Sequence, residues 1–554
     1  MGARPSTRGR SRAALQSLDT IAARAVQGPR AAEYGHYVSL AVGAVLLFRL
    51  GLTQSFFFDD WAILAPSLDG NINLPHVGHW SLTPALVFQA IRNTWGLDSY
   101  TPFFLCVLLV HLVLAHLIWR IMKRAGVAPW LATAFVVPVL FMGSGSENIL
   151  WAFQFGFIGA VVLALIVVLV VTGRTMTWPL GILAGVAALW SVTFSGTALP
   201  LLFAAGVASL YRQRFVRTAL VFGPAVVVYG AWYVLEGSRY KTSIPSVFVD
   251  GVGQGIVDLS QFASTMVLSA LDGLLPLADV GVVLAVAVFI WLVSRRREQL
   301  ERALPAIALA AAALFFALLT AFSRAGLGVE TASSGRYLYL VTALVIPLIA
   351  CAGSAVTMRR AAGTFIACAV VAGAGLFGYA TLSIDAEKQA AAEQTSQGRL
   401  HAAVALARDV PDSDTRLLAE RPIRQWAPDL SVKDLKVIDA EGWISTGEFS
   451  TQDRVDVAPY FWLDLKTGDE PLNCDAKTVG VTRMVQVPPG SAISFQTLSP
   501  GSIGVEYSED GLVGSERVLS VKASVWSLAN TGEELAVVDL TGTDVGTYCV
   551  SVPH

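Results

Sequence analysis

Charged residues are scarce in this chain. Only 14% of its 554 residues are Asp, Glu, Lys or Arg, whereas soluble proteins carry about 25%. Hydrophobic residues make up 54%, and the mean hydropathy is +0.59. This composition excludes a soluble enzyme, a disordered protein and a nucleic-acid binder with a basic face.

Several motifs of well-known enzymes are also missing. The sequence has no H-E-x-x-H, no Walker A motif and no C-x-x-C. Its G-x-G-x-x-G match, GAGLFG at 373–378, lies inside an apolar stretch and not between a strand and a helix as in a dinucleotide-binding unit. It also offers no cytoplasmic domain that would bind a nucleotide sugar. A nucleotide-sugar donor is therefore disfavoured.

The near-neutral net charge is the sum over two segments of opposite charge. Residues 1–381 contain 25 basic and 15 acidic residues, whereas residues 382–554 contain 14 basic and 26 acidic ones. We therefore predict a basic membrane part followed by an acidic soluble part. The predicted boundaries are a cytoplasmic basic segment at 1–35, a transmembrane domain at 36–381, a helical stalk at 382–406 and a β-rich domain at 407–554.

About eleven apolar stretches are long enough to predict membrane-spanning helices, each of which needs roughly 20 apolar residues. The amphipathic stretch 249–273 contains Asp258 and Asp272, and we interpret it as an interfacial or re-entrant helix. The eleven stretches are centred at Val45, Val110, Val136, Leu163, Ala187, Ala205, Val226, Ala285, Ala312, Val345 and Val370.

The loop charges predict the orientation of the chain. Basic residues cluster at the N-terminus and in every second loop, whereas the other loops carry most of the acids. The positive-inside rule then places the N-terminus in the cytoplasm and, after an odd number of crossings, the C-terminal domain outside. The Arg-, Ser- and Ala-rich start resembles a transit peptide in composition, but no A-x-A cleavage site follows, which favours a signal anchor. The composition suggests a bacterial plasma membrane.

The five cysteines divide in the same way. Cys106, Cys351 and Cys368 fall in apolar stretches and are interpreted as packing residues. Cys474 and Cys549 are the only pair in the C-terminal part. A disulfide between them is predicted because the extracytoplasmic side permits it.

The last hundred or so residues show a period of two, with turn residues between short apolar stretches. This pattern predicts a β-sandwich. Four aromatic side chains in the C-terminal part have two interpretations, glycan stacking or core packing. They are Trp443, Tyr460, Trp462 and Trp526.

The densest polar cluster follows the first apolar stretch. Asp59 and Asp60 end the aromatic run FFFDDW, and GHWSLTP with His79 and Trp80 comes shortly after. Neighbouring carboxylates at a membrane interface favour a raised pKa and a general base, or alternatively a divalent cation site. The structural alternative is that the aspartates cap the next helix while Trp61 anchors it at the interface.

These motifs resemble the polyprenyl-phosphate-sugar-dependent glycosyltransferases of the GT-C superfamily, notably the protein O-mannosyltransferase-like branch. The resemblance implies that Asp59 or Asp60 activates the acceptor or helps to hold a metal. It also implies a second polar group in the next outer loop. The chain offers GSGSEN there, with Glu147 and Asn148, followed by Trp151 and Gln154. Glu147 is the matching acid that would join Asp59 and Asp60 at a metal, but this loop has no D-x-D or E-x-D pair. Ser144 to Glu147 also fits a helix capping box.

The resemblance further implies an arginine for the donor phosphate. Arg336 and Tyr337, in GRYLY, match the Arg-Tyr pair at the start of a late helix in that family, and Arg324 is a weaker candidate. Arginine suits this role because its donor fork binds phosphate in a bidentate manner. The alternative is that Arg336 snorkels to the interface.

We therefore expect an inverting membrane glycosyltransferase. It would take a sugar from a polyprenyl-phosphate donor and pass it to a cell-envelope glycan, glycolipid or protein on the extracytoplasmic face. The alternatives are a transporter or lipid-linked glycan flippase, and a non-catalytic envelope scaffold with a glycan-binding domain. The expected substrate-binding residues are Trp61, His79, Trp80, Glu147, Asn148, Trp151, Gln154, Arg324, Arg336 and Tyr337.

Overall fold

The computed structural model describes most of the chain in eleven ranges. Contacts between residues divide the chain into two compact units. The first unit draws on residues 1–54, 72–87 and 101–389, and the second on residues 55–71, 88–100 and 390–554. The described residues are 29–68, 75–76, 78–240, 244–249, 251–275, 279–357, 361–445, 447–468, 477–478, 484–542 and 545–551.

Most of the described structure is helical. Helix starts carry the expected signals, with Pro129, Pro179 and Pro305 in the first turn of their helices. The first sixteen helices are α1 Pro29–Gly51, α2 Asp59–Leu68, α3 Leu82–Trp95, α4 Thr101–Arg124, α5 Pro129–Leu140, α6 Ser146–Leu150, α7 Phe155–Val171, α8 Trp178–Phe194, α9 Ala198–Arg212, α10 Phe215–Leu235, α11 Val252–Asp272, α12 Val280–Ser294, α13 Arg297–Arg302, α14 Leu304–Arg324, α15 Gly335–Thr357 and α16 Ala361–Ala407.

Seven of the described helices are long and apolar enough to cross a membrane. An eighth candidate is the pair Pro129–Leu140 and Gly143–Leu150, bent by 48°. Helices α8, α9 and α12 are shorter apolar helices. All eleven predicted centres lie in these helices, which fits a polytopic membrane protein, and the number of crossings stays a prediction.

Two segments near the predicted boundaries are regular helices. The amphipathic stretch forms α11, which is not among the helices apolar enough to span. Helix α16 continues without a break from the last apolar stretch through the predicted stalk, over 47 residues, which corresponds to about 70 Å. The stalk is therefore the second half of one helix, as its polar, Ala-rich sequence predicted.

Buried polar groups connect the helices of the first unit. His111 on α4 pairs with the hydroxyl of Tyr339 on α15 at 2.7 Å and with the carbonyl of Leu140 at 3.2 Å. His116 on α4 pairs with His36 on α1 at 3.0 Å. Both α4 histidines thus bond to neighbouring helices, as expected for packed residues.

After α16, the described residues of the second unit form three short α-helices and ten strands. Hydrogen bonds join the strands into two antiparallel sheets, one ordered β3-β10-β6-β12-β4 and the other β5-β11-β7-β8, with β9 also paired to β7. The elements are α17 Thr415–Leu418, α18 Val432–Ala440, α19 Thr451–Val457, β3 Leu463–Gly468, β4 Lys477–Thr478, β5 Met484–Val487, β6 Ala492–Thr497, β7 Gly501–Glu509, β8 Leu512–Val513, β9 Arg517–Val521, β10 Ser524–Asn530, β11 Leu535–Asp539 and β12 Val545–Ser551. A small hairpin of the first unit, β1 Pro75–His76 and β2 His79–Trp80, precedes them in the chain.

One hydrophobic core collects residues from both large sheets. Ile493 and Phe495 on β6 contribute to it, together with Val505 on β7 and Val538 on β11. The burial pattern of β5 alternates strictly between exposed and buried positions. The period of two in the sequence therefore corresponds to strands with one face in a core.

Candidate functional site

The candidate residues fall in both units. The second unit contains Asp59, Asp60 and Trp61. The first unit contains the other candidates, which lie in the hairpin, in the 143–154 turn and at α14 and α15. Each group has its own local geometry.

The two neighbouring aspartates have different surroundings. Asp60 is fully buried, and its Oδ2 accepts hydrogen bonds from the backbone N–H of Phe57 at 3.0 Å and the hydroxyl of Tyr100 at 3.4 Å. These bonds hold the turn that leads into α2. Asp59 occupies the first helical position and is half-buried. Asp60 therefore stabilises the turn before α2, and Asp59, at the first helical position, stays a candidate for chemistry.

The FFFDDW turn is built from aromatic packing within the second unit. Phe58 adopts a positive φ of 43° and its backbone N–H donates to the carbonyl of Trp426 at 2.6 Å. The Phe57 ring lies 5.6 Å from the ring of Trp426. Trp61 is buried, with its ring 5.2 Å from that of Phe56. Trp61 is thus a packing residue of this unit and not an exposed interfacial anchor.

The acids do not gather a recognisable metal site. Within the described ranges, no group of three or more His, Cys, Asp or Glu side chains is placed to hold a metal ion. Asp60 also already accepts two hydrogen bonds from the protein. We therefore derive no chemical step through a divalent cation.

The second candidate group is the turn at 143–154 in the first unit. It consists of a 3-10 turn at Gly143–Gly145, the short helix α6 and another 3-10 turn at Ala152–Gln154. The expected capping box does not form here. The N-cap of α6 is Gly145, no side chain caps the helix, and the buried Oγ of Ser144 has no hydrogen-bond partner among the described residues. Helix capping therefore does not account for the presence of Glu147 at this position.

Two amides lie fully buried in this turn. Asn148 Nδ2 donates to Gln154 Oε1 at 3.0 Å. The remaining Asn148 Oδ1 and Gln154 Nε2 atoms are buried and find no partner in the described part of the chain. Buried polar atoms are rarely left unpaired, so this pair has hydrogen-bonding capacity available to a ligand or to water.

Glu147 lies beside the start of α15, the helix that carries Arg336 as its second residue. An added Cβ on Gly335 would lie 3.7 Å from the Glu147 Cδ, so this carboxylate lies beside the first residue of the helix. Arg336 follows, with its guanidinium 5.5 Å from the Tyr337 ring centroid and its buried Nε lacking a hydrogen-bond partner in the described chain. No ion pair joins Glu147 or Arg336 to another described residue. Two charges without a salt-bridge partner therefore lie near a helix N-terminus, whose dipole favours anions.

The hairpin β1–β2 brings a third candidate group together. Burial lowers the pKa of His79 to about 4, and the nearby charges of His76 and Arg324 contribute to this lowering. His79 is therefore neutral near pH 7 and acts as a hydrogen-bonding group, not as a cation. Trp80 is buried and stacks on Trp232, with ring centroids 5.4 Å apart.

Aromatic contacts connect the hairpin to the 143–154 turn. Phe153 lies 5.0 Å from the ring of His76, 5.3 Å from that of Trp151 and 5.2 Å from that of Phe157. Phe157 in turn lies 5.5 Å from His79. The first unit therefore brings His79, Arg324, Trp151, Gln154 and Asn148 into one connected region. Tyr337 packs against Phe316 at 6.3 Å.

The C-terminal aromatic residues make internal contacts. Trp462 and Trp526 pack against the core of the sheets. Arg517 lies 4.6 Å from the Tyr460 ring centroid, and Arg92 lies 4.1 Å from that of Trp443. These contacts favour the packing interpretation over glycan stacking. Cys549 is buried on β12, and Cys474 lies outside the described residues, so their disulfide stays a prediction.

Sequence reasoning missed His76 as a partner of His79. The signal was the H-x-x-H spacing around Gly78, whose φ of +80° fits a tight hairpin turn. It also missed the contribution of Tyr100 to the setting of Asp60. That contact joins residues 40 positions apart and has no local pattern.

No family model and no curated protein matches this chain.

Proposed function

We propose that the protein is a membrane glycosyltransferase that takes a sugar from a polyprenyl-phosphate donor. The acceptor would be a hydroxyl of a cell-envelope glycan, glycolipid or protein on the extracytoplasmic face. The observation that carries the proposal is the pair Glu147 and Arg336, without salt-bridge partners among the described residues, at the N-terminus of α15. Ionisable groups in an apolar helical unit are costly to keep without a function.

Arg336 is suited to the phosphate of the donor lipid. Its guanidinium fork matches phosphate oxygens, and the positive end of the α15 dipole lies beside it. When the bond between the anomeric carbon and the phosphate oxygen breaks, negative charge grows on the departing lipid phosphate. A fixed cation at that position stabilises this charge in the transition state.

The neighbouring polar groups are suited to a sugar. Asn148 and Gln154 have one unpaired acceptor and one unpaired donor within the described chain, and neutral His79 can donate from one ring nitrogen and accept at the other. Glu147 accepts hydrogen bonds from hydroxyl groups. This mixture of donors and acceptors complements a polyhydroxylated ring.

Asp59 keeps the role of general base that the resemblance implies. In an inverting transfer, the general base takes the proton of the acceptor hydroxyl while that oxygen attacks the anomeric carbon, and the lipid phosphate leaves from the opposite face. Asp60 is less suited to this role because it is buried and already holds the preceding turn.

The finer structural predictions belong to the same proposal. We infer that the chain crosses the membrane about eleven times, with a cytoplasmic N-terminus and an extracytoplasmic two-sheet sandwich. The basic loops support this orientation. The common core of the two sheets supports the sandwich.

A transfer assay tests the proposal. Purified protein is incubated with a panel of radiolabelled polyprenyl-phosphate sugars and an envelope acceptor extract. We expect transfer by the wild type and a loss of about 100-fold or more in Arg336→Gln, the size typical of removing one group that stabilises transition-state charge. Arg302→Gln, on the predicted cytoplasmic side, is the matched control and should transfer normally.

Two results would contradict the proposal. Equal transfer by wild type and Arg336→Gln would remove the phosphate site from the mechanism. If no donor in the panel is used by folded protein while substrate flux into liposomes is measured, the transporter alternative replaces it.

A further inference from the structure

A polar cleft lies within the second unit. It has a volume of about 470 Å³ and lies between the C-terminal half of α16 and the segment that leads into α19. Gln394, Gln397 and His401 line one side, at helical spacings of three and four that place them on one face of α16. Glu448, Phe449 and Asp453 line the other side.

Several of the lining groups have unused hydrogen-bonding capacity. No hydrogen bond or ion pair joins the side chains of Gln394, Gln397 or Glu448 to another residue in the described ranges. The buried His401 Nδ1 likewise has no hydrogen-bond partner there. Asp453 differs, because its Oδ2 accepts from the backbone N–H and the hydroxyl of Ser450 and caps α19. The amides of Gln394 and Gln397 and the carboxylate of Glu448 are therefore available to a ligand in the cleft. His401 Nδ1 is buried against Gly447, and Asp453 is used within the wall.

The charged side chains of the lining indicate which class of ligand the cleft can bind. The cleft has two acidic side chains and no lysine or arginine among its described lining residues, which disfavours phosphates and other anions. The described lining also lacks a set of ligands for a metal ion. Each glutamine amide offers both donors and an acceptor, which is the pattern that neutral hydroxyl groups require.

An aromatic side chain completes the lining. Phe449 is 38% exposed although it is large and apolar. An exposed aromatic face beside convergent polar groups is typical of a site that binds one apolar surface and several hydroxyls at once. The C–H face of a sugar ring provides such a surface.

We propose that this cleft binds a neutral oligosaccharide, and that this oligosaccharide is the acceptor or its glycan chain. Only the second part rests on the proposed function, because binding itself needs no donor. The cleft is formed entirely by residues of the second unit. The second unit would then bind acceptor glycan through its stalk helix and not through the faces of its sheets.

The test measures binding by the full chain in lipid nanodiscs without donor. The probes are short soluble fragments of arabinan, galactan, mannan and glucan, with oligolysine as a cationic comparison because of the acidic lining. We expect at least one oligosaccharide to bind and Phe449→Ala and Gln397→Leu to weaken that binding at least tenfold. Leu512→Ala and Gln486→Leu replace an apolar residue and a glutamine on exposed β positions of this unit and should bind as wild type does.

Three results would overturn the inference. They are no binding of any oligosaccharide by folded protein, equal binding by the cleft variants and the wild type, and binding of oligolysine instead of the sugars. Arg336→Gln separates this inference from the proposed function. It should bind the oligosaccharide normally and fail in transfer. Transfer by a protein that binds no oligosaccharide would leave the proposed function intact and remove the cleft from it.

Discussion

At the scale of single residues, neighbouring identical side chains have unequal surroundings. Asp60 is bound by Phe57 and Tyr100 and is fully buried, whereas Asp59 lies half-buried at the first position of α2. The two carboxylates therefore have separable consequences when each is removed. A related contrast holds in the 143–154 turn, where buried Asn148 and Gln154 bond to each other and each keep one polar atom without a partner in the described chain.

Alanine substitutions should distinguish Asp59 from Asp60, because one lowers sugar transfer and the other lowers thermal stability. Asp60→Ala leaves the N–H of Phe57 and the hydroxyl of Tyr100 without their acceptor, so we expect a loss of about 1–3 kcal/mol in the free energy of unfolding. Asp59→Ala should lose transfer, because it removes the proposed general base. Thermal unfolding in detergent and the transfer assay measure the two effects. Normal stability of Asp60→Ala would contradict the anchoring role.

His79 predicts a pH dependence of stability. Its pKa is about 4 in the folded protein, against 6.5 for an unperturbed histidine, so between these values the unfolded chain binds the extra proton. Stability should therefore fall as the pH decreases from 6.5 towards 4. At pH 5 the loss is about 2 kcal/mol for a shift of this size.

His79→Gln provides the comparison for that prediction. It lacks the titrating ring, so its thermal unfolding temperature should drop less between pH 7.5 and pH 5 than that of the wild type. Equal drops in the two proteins would show that His79 does not experience the burial described here.

At the scale of elements, glycines set how closely the helices pack. On α16, a Cβ at Gly378 would collide with the carbonyl oxygen of Phe141, at the bend between α5 and the following turn. About one and a half turns earlier on the same helix, a Cβ at Gly373 would have no described atom within 4 Å. The bend that carries Ser144 and Glu147 thus lies directly against α16.

This difference gives a matched pair of variants in one helix. Gly378→Ala should push α16 off the bend and destabilise the protein by about 1–3 kcal/mol. Gly373→Ala should be neutral or raise stability by up to about 1 kcal/mol, because alanine is the better helix former. Thermal unfolding of both variants checks this, and an unchanged Gly378→Ala would mean that the helices are not in this close contact.

At the scale of the whole molecule, the helices and strands that the sequence predicted are those that leave a local pattern of residues. All eleven predicted centres lie in apolar helices because runs of apolar residues are visible without knowing the fold. The strands followed from the period of two in the same way. The stalk was predicted from its composition, and α16 continues through it.

The sequence did not predict which distant segments of the chain pack together. Residues 55–71 and 88–100 belong with the C-terminal unit, through contacts such as the hydrogen bond from Leu97 N–H to the Trp443 carbonyl and from Ser445 N–H to Asp98. Glu147 and Arg336 were each singled out from the sequence, but only the fold places Glu147 beside Gly335, the residue before Arg336. Contacts between distant residues leave no periodic signal.

The orientation of the chain is a further prediction at this scale. Single cysteines are introduced at Arg296 and Leu512 in a protein whose free cysteines are replaced, and intact cells are treated with a membrane-impermeant maleimide. We expect Leu512→Cys to be labelled in intact cells and Arg296→Cys only after permeabilisation, because basic loops face the cytoplasm. The opposite pattern would invert the proposed topology.

The most direct test of the central claim measures binding of the lipid phosphate at the N-terminus of α15. Wild type and Arg336→Gln are each equilibrated with polyprenyl phosphate or with polyprenol, which has the same chain without the charged group, and bound lipid is counted by native mass spectrometry. We predict that the wild type retains polyprenyl phosphate in preference to polyprenol, and that Arg336→Gln loses this preference. Equal retention of both lipids by the wild type, or an unchanged preference in Arg336→Gln, would contradict it.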